Sequence, residues 1–139
     1  MNKAERNRQI MARFQECINT NDRALAEELI APDAEFTTPV SDKPLYGGAG
    51  YLSVVELLRK SFSDIRWDIA DMAVEEGKVA VSWICSGTHD GEFMGLAPTY
   101  KKISFSVMNF YYFNADGKII NDVAAQGMFG LINQLGIRN

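Results

Sequence analysis

The sequence predicts an α+β fold, in which helices come first along the chain and long antiparallel strands follow. Apolar residues in the first half recur at helical spacing, whereas the second half alternates apolar and polar side chains, which is typical of strands. Helices placed before the strands can pack on one face of a curved, mostly antiparallel sheet and enclose a cone-shaped pocket. No linker, repeat or low-complexity segment is visible, so we expect one domain over residues 1–139.

Two helices are expected before the first proline. The first is indicated by a single apolar face, made of Ile10, Met11, Phe14, Cys17 and Ile18. Asp22 can cap a short second helix. Pro32 ends that helix, because proline has no N–H to donate and restricts the residue before it.

A third helix is expected after a loop. Residues 35–38 are predicted to form a short strand, and residues 39–50 hold two prolines and three glycines, which favours a loop. The helix that follows presents one apolar face, made of Leu52, Val55, Leu58 and Phe62.

Four long strands account for the second half. We expect them at residues 65–75, 79–86, 101–114 and 118–128, with a closing helix at 129–135. Residues 87–98 carry three glycines and are predicted to form a loop. Residues 114–117 are predicted to form a hairpin turn, in which Gly117 is free to take a positive φ.

The strand at 101–114 ends apolar on both faces. Met108, Phe110 and Tyr112 face away from Val107, Asn109 and Tyr111. A strand end that is apolar on both faces is buried on both. One face therefore lines a pocket, while the other packs on helices or on a second subunit, and we expect a homodimer.

Charge and composition argue against several classes of partner. The net charge is −4, and no basic stripe or tail suggests nucleic acid or an anionic membrane surface. No apolar run approaches the roughly 20 residues that span a bilayer, and no secretory signal is visible, so a cytoplasmic protein is expected. Cys17 and Cys85 lack metal-binding spacing, and buried free thiols are expected.

The segment at residues 86–99, SGTHDGEFMGLAPT, resembles the G-T-H-x-G-x-F-x-G-x-x-P-T signature of the SnoaL-like polyketide (ester) cyclases. Other pieces agree with that family in order and spacing. They are Asn19 with Asp22, APDAEF at 31–36, Gly48 with Gly50, FSDIR at 62–66, DGKI at 116–119 and QLG at 134–136. The resemblance covers nearly the whole chain.

The resemblance implies the nuclear-transport-factor-2-like (NTF2-like) fold, an α+β barrel with a deep pocket that is usually dimeric. Characterised members close a ring in an aromatic polyketide ester by an intramolecular aldol reaction and use no cofactor. Other members of the superfamily isomerise, hydroxylate, hydrolyse or only bind. The resemblance therefore implies a cofactor-free cyclase, isomerase or lyase acting on a small apolar carbonyl or ester compound.

The last strand departs from the family pattern, which tends to read E-x-W followed by an acidic residue. Asn121 occupies the Glu position, Val123 the Trp position, and Ala124 and Gly127 the later acidic positions. A usual arginine before the final turn is replaced by Tyr112. The alternative is therefore a binding protein that has lost the cyclase acid/base, and a third possibility is a dimeric scaffold whose pocket its own side chains fill.

Two side chains are candidates for acid–base catalysis. Asp122 is the one carboxylate left in this segment, and an apolar pocket would raise its pKa and make it a better base. Alternatively, it points to water or pairs with Lys118 or Lys101. His89, the single histidine, is a candidate second acid/base. Its alternative role is to fix the glycine-rich loop, bonded to a backbone carbonyl or to Asp90.

Further side chains are candidates for lining the pocket, each with a plain core role as the alternative. They are Phe14, Phe36, Trp83, Phe93, Phe105, Asn109, Tyr111 and Gln126. With one histidine and scattered carboxylates, no metal site or other cofactor is expected. No phosphate-binding glycine loop or nucleophilic serine motif is found.

Overall fold

A computed structural model of the chain describes residues 2–38, 41–125 and 127–136. It has the predicted α+β composition, with four helices and six strands in the described part of the chain. The elements are α1 Lys3–Thr20, α2 Arg23–Leu29, β1 Glu35–Thr38, β2 Ser41–Tyr46, α3 Gly47–Ser61, β3 Arg66–Val74, β4 Lys78–Thr88, β5 Lys102–Phe113, β6 Ile119–Ala124 and α4 Gly127–Leu135.

The first two helices are set by their caps and by the apolar stripe of α1. The Asn2 side chain accepts a hydrogen bond from the Glu5 amide at 2.7 Å, and the Asp22 side chain accepts one from the Leu25 amide at 3.0 Å. Each bond satisfies a donor that the first helical turn leaves unpaired. The predicted face of α1 is buried at Met11, Phe14, Cys17 and Ile18.

The main sheet is antiparallel, with strand order β3-β4-β5-β6, and the described strands do not close into a ring. Along β4, alternate residues are buried at Val79, Val81, Trp83 and Cys85, as the sequence pattern predicts. The helices pack against this inner face, and β1 and β2 form a separate hairpin beside it. The sheet is thus open, and helices complete the wall of a cone-like fold.

The predicted loop at 39–50 is wrong over most of its length. Residues 41–46 form β2, which pairs with β1 through Phe36 and Leu45, and α3 begins directly at Gly47. Gly47 has a φ of +67°, and a Cβ at Gly48 would lie 2.7 Å from the Ala26 backbone. The glycines therefore do not form a loop but allow α3 to start against α2.

The last strand is shorter than predicted, because β6 ends at Ala124 and α4 begins at Gly127. Gly127 has a φ of +57°, a left-handed conformation that breaks the strand and that glycine takes without strain. Residues 127 and 128, which the sequence pattern places in the strand, belong to the closing helix.

Both cysteines are buried free thiols, as expected. Burial raises the pKa of each thiol to about 11, so neither is a thiolate near neutral pH. In the described part of the chain, no helix has the length and apolar character needed to cross a membrane.

Candidate functional site

A small apolar pocket of about 170 Å³ lies between the helices and the inner face of the sheet. Almost every element contributes a wall. Its lining consists of Ile18, Phe36, Thr37, Leu45, Tyr51, Val54, Val55, Leu58, Trp67, Trp83, Val107, Asn109, Tyr111, Asp122 and Ala124. Most of these side chains are apolar, so the few polar groups determine how a ligand is oriented.

One carboxylate, Asp122, lies at the polar wall of this pocket. It is directly opposite Tyr111 in the β5–β6 pairing, and Tyr111 is buried on the inner face. Cross-strand partners point to the same face of a sheet, so Asp122 points inward. It does not pair with Lys118, whose ammonium instead donates to the Glu28 carbonyl oxygen.

Two neutral donors hold the Asp122 carboxylate. Asn109 Nδ2 donates to Oδ1 at 2.7 Å, and the Tyr51 hydroxyl donates to Oδ2 at 3.1 Å. Burial raises the pKa of Asp122 from 3.8 to about 6, while the two hydrogen bonds oppose that rise. Asp122 is therefore a carboxylate at neutral pH, yet a stronger base than an exposed one.

Tyr51 and Tyr111 are the protonated groups beside this carboxylate. Burial is the main cause that raises the pKa of both phenols well above 10, and the neighbouring Asp122 charge acts in the same direction. Tyr111 accepts a hydrogen bond from Trp83 Nε1 at 3.0 Å. Both hydroxyls therefore keep their protons at neutral pH.

Tyr51 was not predicted from the sequence. It lies on α3 four residues before Val55, which places it on the same helix face as the buried Leu52 and Val55. That spacing was a usable signal, since a tyrosine on a core-facing stripe must find a hydrogen-bond partner for its hydroxyl.

The predicted pocket residues divide between several places. Phe36, Trp83, Asn109 and Tyr111 line the pocket together with Asp122. Phe14 lies outside the lining, fully buried in the core, where its ring packs 5.1 Å from the ring of Tyr51 and 5.4 Å from that of Tyr111. It supports two residues of the pocket rather than contacting its interior.

Phe93 and Phe105 lie elsewhere. Phe93 packs on Phe62 at a ring distance of 5.4 Å, in a second small core with Ile65 and Cys85. Phe105 is on the inner-facing register of β5 but 48% exposed, because β6 pairs only from Asn109 onward and leaves it uncovered. Gln126 lies outside the described residues.

His89 is buried, but it is not among the residues that line the pocket. Its Nδ1 accepts a hydrogen bond from the Thr99 amide at 3.2 Å and lies 2.9 Å from Thr99 Oγ1, while its ring packs on Phe62. Its backbone pairs with Lys101 and Tyr100. The contacts are with the loop itself, but the imidazole bonds to Thr99 and not to the backbone carbonyl or Asp90 that the loop-fixing alternative named.

The glycine-rich motif closes the same loop onto α3. The amides of Asp90 and Gly91 donate to the Ser61 carbonyl oxygen, and a Cβ at Gly91 would overlap the Lys60 carbonyl oxygen. The motif therefore joins the loop to the C-terminal end of α3, away from the pocket.

A second, open cleft of about 1220 Å³ adjoins the pocket. Thr37, Val107, Asp122 and Ala124 line both spaces. Asp122 therefore lies where the small inner pocket meets a wide outer cleft, so a group at either side can reach its carboxylate. Among the described residues, no cluster of His, Cys, Asp or Glu is arranged to hold a metal ion.

The model of the SnoaL-like polyketide cyclase family matches residues 8–135. The chain belongs to the SnoaL-like polyketide cyclase family. This family member is similar to IdmH from Streptomyces antibioticus, with 27% identity, a TM-score of 0.75 and coverage of 94% of this chain and 99% of that one. The nuclear-transport-factor-2-like fold predicted for it is thereby confirmed.

Two further solved structures share the fold of this SnoaL-like chain. TsrD from Streptomyces laurentii has 20% identity and a TM-score of 0.76, covering 95% of this chain and 96% of that one. A SnoaL-like polyketide cyclase from Agrobacterium tumefaciens has 18% identity and a TM-score of 0.70, covering 94% and 98%. No curated protein sequence matches the chain.

Proposed function

We propose that this chain is a cofactor-independent enzyme that performs acid–base chemistry on an apolar carbonyl or ester compound, with Asp122 as the base. One observation carries the proposal: a carboxylate with a raised pKa lies at the polar wall of an apolar pocket. Such a carboxylate is suited to removing a proton from a carbon next to a carbonyl group.

The proposed step can be followed at the atoms of the site. Asp122 takes the proton as the C–H bond breaks, and the electron pair moves to the carbonyl oxygen to form an enolate. The Tyr51 hydroxyl can shift its hydrogen bond from Asp122 to that oxygen, because a protonated Asp122 no longer needs the donor. In a ring closure the enolate carbon then bonds to a second carbonyl carbon as its C=O π bond opens. The resulting alkoxide oxygen takes the proton from Asp122, which regenerates the carboxylate base.

His89 has no part in this step. The sequence made it a candidate second acid/base, but its contacts are with the loop residue Thr99 and with Phe62. We therefore assign it the positioning of the 89–101 loop.

The second candidate function is ligand binding without turnover. It is favoured by Ala124 and Gly127, which occupy positions where the family tends to carry acidic residues. The pocket and its hydrogen-bonding wall would serve binding as well as catalysis.

A thermal-shift screen followed by turnover assays separates the two functions. A ligand at 100 times its dissociation constant adds about 2.7 kcal/mol to the free energy of unfolding. For a ligand found in this way, the enzyme proposal expects turnover that Asp122→Asn abolishes. Ligand binding with no turnover by the wild type supports the binding function, and full turnover by Asp122→Asn rules out the proposed base.

We also propose that the chain forms a homodimer through its outer sheet face, made of Met108, Phe110 and Val123. These side chains are 61%, 46% and 48% exposed, and Phe110 and Val123 are direct cross-strand partners. A contiguous apolar surface of this kind is typical of a protein interface.

The expected cytoplasmic location stays a prediction, which cell fractionation tests.

A further inference from the structure

The volume of the inner pocket limits the ligand that can enter it. A protein cavity of about 150 Å³ lined by apolar side chains holds a single benzene molecule. The inner pocket measures about 170 Å³, so it has room for one substituted six-membered ring. The three- and four-ring systems of aromatic polyketides exceed this volume and would have to extend into the outer cleft.

One acceptor on a residue that lines the pocket lacks a protein partner. Asn109 donates through Nδ2 to Asp122, which fixes its amide with Oδ1 turned away from the carboxylate. Asn109 Oδ1 is buried and has no hydrogen-bond partner among residues 2–38, 41–125 and 127–136. A buried acceptor without a partner is costly, so a ligand that donates to it gains binding energy and specificity.

We propose that the inner pocket binds a one-ring hydroxycarbonyl compound, whose hydroxyl donates to Asn109 Oδ1 and whose carbonyl faces Tyr51 and Asp122. The inference rests on the proposed function, since it names the substrate class of the same site. The ring contacts the apolar walls, while the hydroxyl substituent donates to Asn109 Oδ1 and the carbonyl accepts from the Tyr51 hydroxyl.

The outer cleft does not favour this compound. Its lining includes the carboxylates of Asp33 and Glu35, together with the half-exposed rings of Phe105 and Phe129. An open surface leaves most of a one-ring compound in contact with water, whereas the narrower inner pocket covers more of it.

Calorimetric titration with two compound series tests the proposal. The first compares the three hydroxyacetophenone isomers with the matching methoxyacetophenones, which keep the ring and the carbonyl but lose the donor. At least one hydroxy isomer should bind roughly tenfold more tightly than its methoxy partner. In Asn109→Leu that preference should disappear. Equal affinity of every hydroxy and methoxy pair in the wild type overturns the proposal.

The second series varies ring number, through a hydroxyacetonaphthone and a hydroxyanthraquinone. Affinity should fall from one ring to three. Val54→Phe, which fills the inner pocket, should weaken the affinity for one-ring compounds at least tenfold. Leu57→Phe is the matched control, because Leu57 is exposed on the same helix and outside the pocket lining. Circular dichroism checks that both variants fold.

The outcomes separate this proposal from the proposed function. If the three-ring compound binds best and Val54→Phe leaves its affinity unchanged, the substrate lies in the outer cleft and the one-ring proposal is wrong. The role of Asp122 is untouched by that result. If one-ring compounds bind as expected and Asp122→Asn retains full turnover, the substrate class stands and the proposed base is wrong. If no compound binds, the one-ring proposal is wrong.

Discussion

At Asp122, the burial that makes the carboxylate a stronger base also lowers the stability of the fold. The Asp122 carboxylate is largely buried, and its partners, Asn109 and Tyr51, are neutral donors that carry no compensating charge. Keeping such a group ionised costs free energy of folding, because desolvation favours the neutral acid. The same desolvation raises its pKa to about 6, which suits it to proton abstraction near neutral pH.

Replacing Asp122 by asparagine should therefore stabilise the fold at pH 7, by about 3 kcal/mol. The pKa of this carboxyl is higher in the folded chain, so the folded state holds its proton more tightly. Its stabilising contribution is fully present below pH 3.8 and is lost as the pH rises through about 6. Urea unfolding at pH 7 and pH 4 measures the gain, which should nearly vanish at the lower pH.

Asp116→Asn is the matched control for that measurement, since Asp116 is an exposed turn carboxylate. It should leave the unfolding midpoint unchanged at both pH values. A loss of stability in Asp122→Asn at pH 7 would mean that the ionised carboxylate stabilises the fold, and the cost assigned to its burial would be wrong.

Tyr51 should act on rate rather than on binding. Tyr51→Phe removes the donor proposed to stabilise the enolate, and loss of one such donor lowers kcat by about 100-fold. It also removes a hydrogen bond that lowers the pKa of Asp122, so the acid limb of the pH–rate profile should move to higher pH. Steady-state kinetics from pH 4.5 to 8 measure both effects.

Tyr46→Phe is the control for Tyr51→Phe, because Tyr46 is exposed and outside the pocket lining. It should keep the wild-type kcat and pH profile. If Tyr51→Phe raises KM but leaves kcat and the acid limb in place, Tyr51 only helps to bind the substrate.

At the scale of the elements, the pairing of β5 with β6 determines which side chains face the pocket. Tyr111 is opposite Asp122, and Asn109 is opposite Ala124. Because side chains alternate along a strand, a shift of one residue would turn Asp122 to the outer face and Val123 inward. The site therefore depends on a register rather than on a local motif.

The 89–101 loop is a second element with its own stabilising contacts. His89→Ala removes the buried contacts with Thr99 and should lower the free energy of unfolding by about 1–3 kcal/mol. Turnover at a temperature where the variant is folded should stay within a few-fold of wild type. Thermal melts together with kinetics test this. Thr99→Val should show the same pattern more weakly, and a 100-fold loss of kcat in His89→Ala alone would restore the catalytic role.

Local sequence signals predicted the elements that depend on local interactions. The stripe of α1, the Asp22 cap and the alternation along β4 each specify structure within a few residues, and each is found where expected. The β2 strand was missed because glycines and prolines surround it and its pairing partner, β1, supplies the hydrogen bonds. The inward direction of Asp122 required the register of β6, which no local pattern contains.

At the scale of the whole molecule, the sheet has two apolar faces. The inner face is covered by helices and holds the pocket, whereas Met108, Phe110 and Val123 remain exposed on the outer sheet face. A second copy of the chain would cover this surface in the proposed homodimer. The pocket and the proposed interface would then lie on opposite faces of the same strands.

Phe110→Asp should therefore convert the dimer into a monomer, because a carboxylate in an apolar interface is desolvated without a partner. Light scattering coupled to size exclusion measures the mass in solution. Leu57→Asp, an equally exposed site on α3, should leave the dimer intact. A monomeric wild-type chain at micromolar concentration would rule out the proposed interface.

The central claim is that Asp122 removes a proton from a carbon beside a carbonyl group. Proton NMR in heavy water tests it directly, by following exchange of the acetyl protons of the hydroxyacetophenone that binds most tightly. The wild type should accelerate exchange, with a rate that rises as the pH increases through about 6. Exchange in the presence of Asp122→Asn should be at least about 100-fold slower than with the wild type. Equal exchange rates for the wild type and Asp122→Asn would contradict the claim.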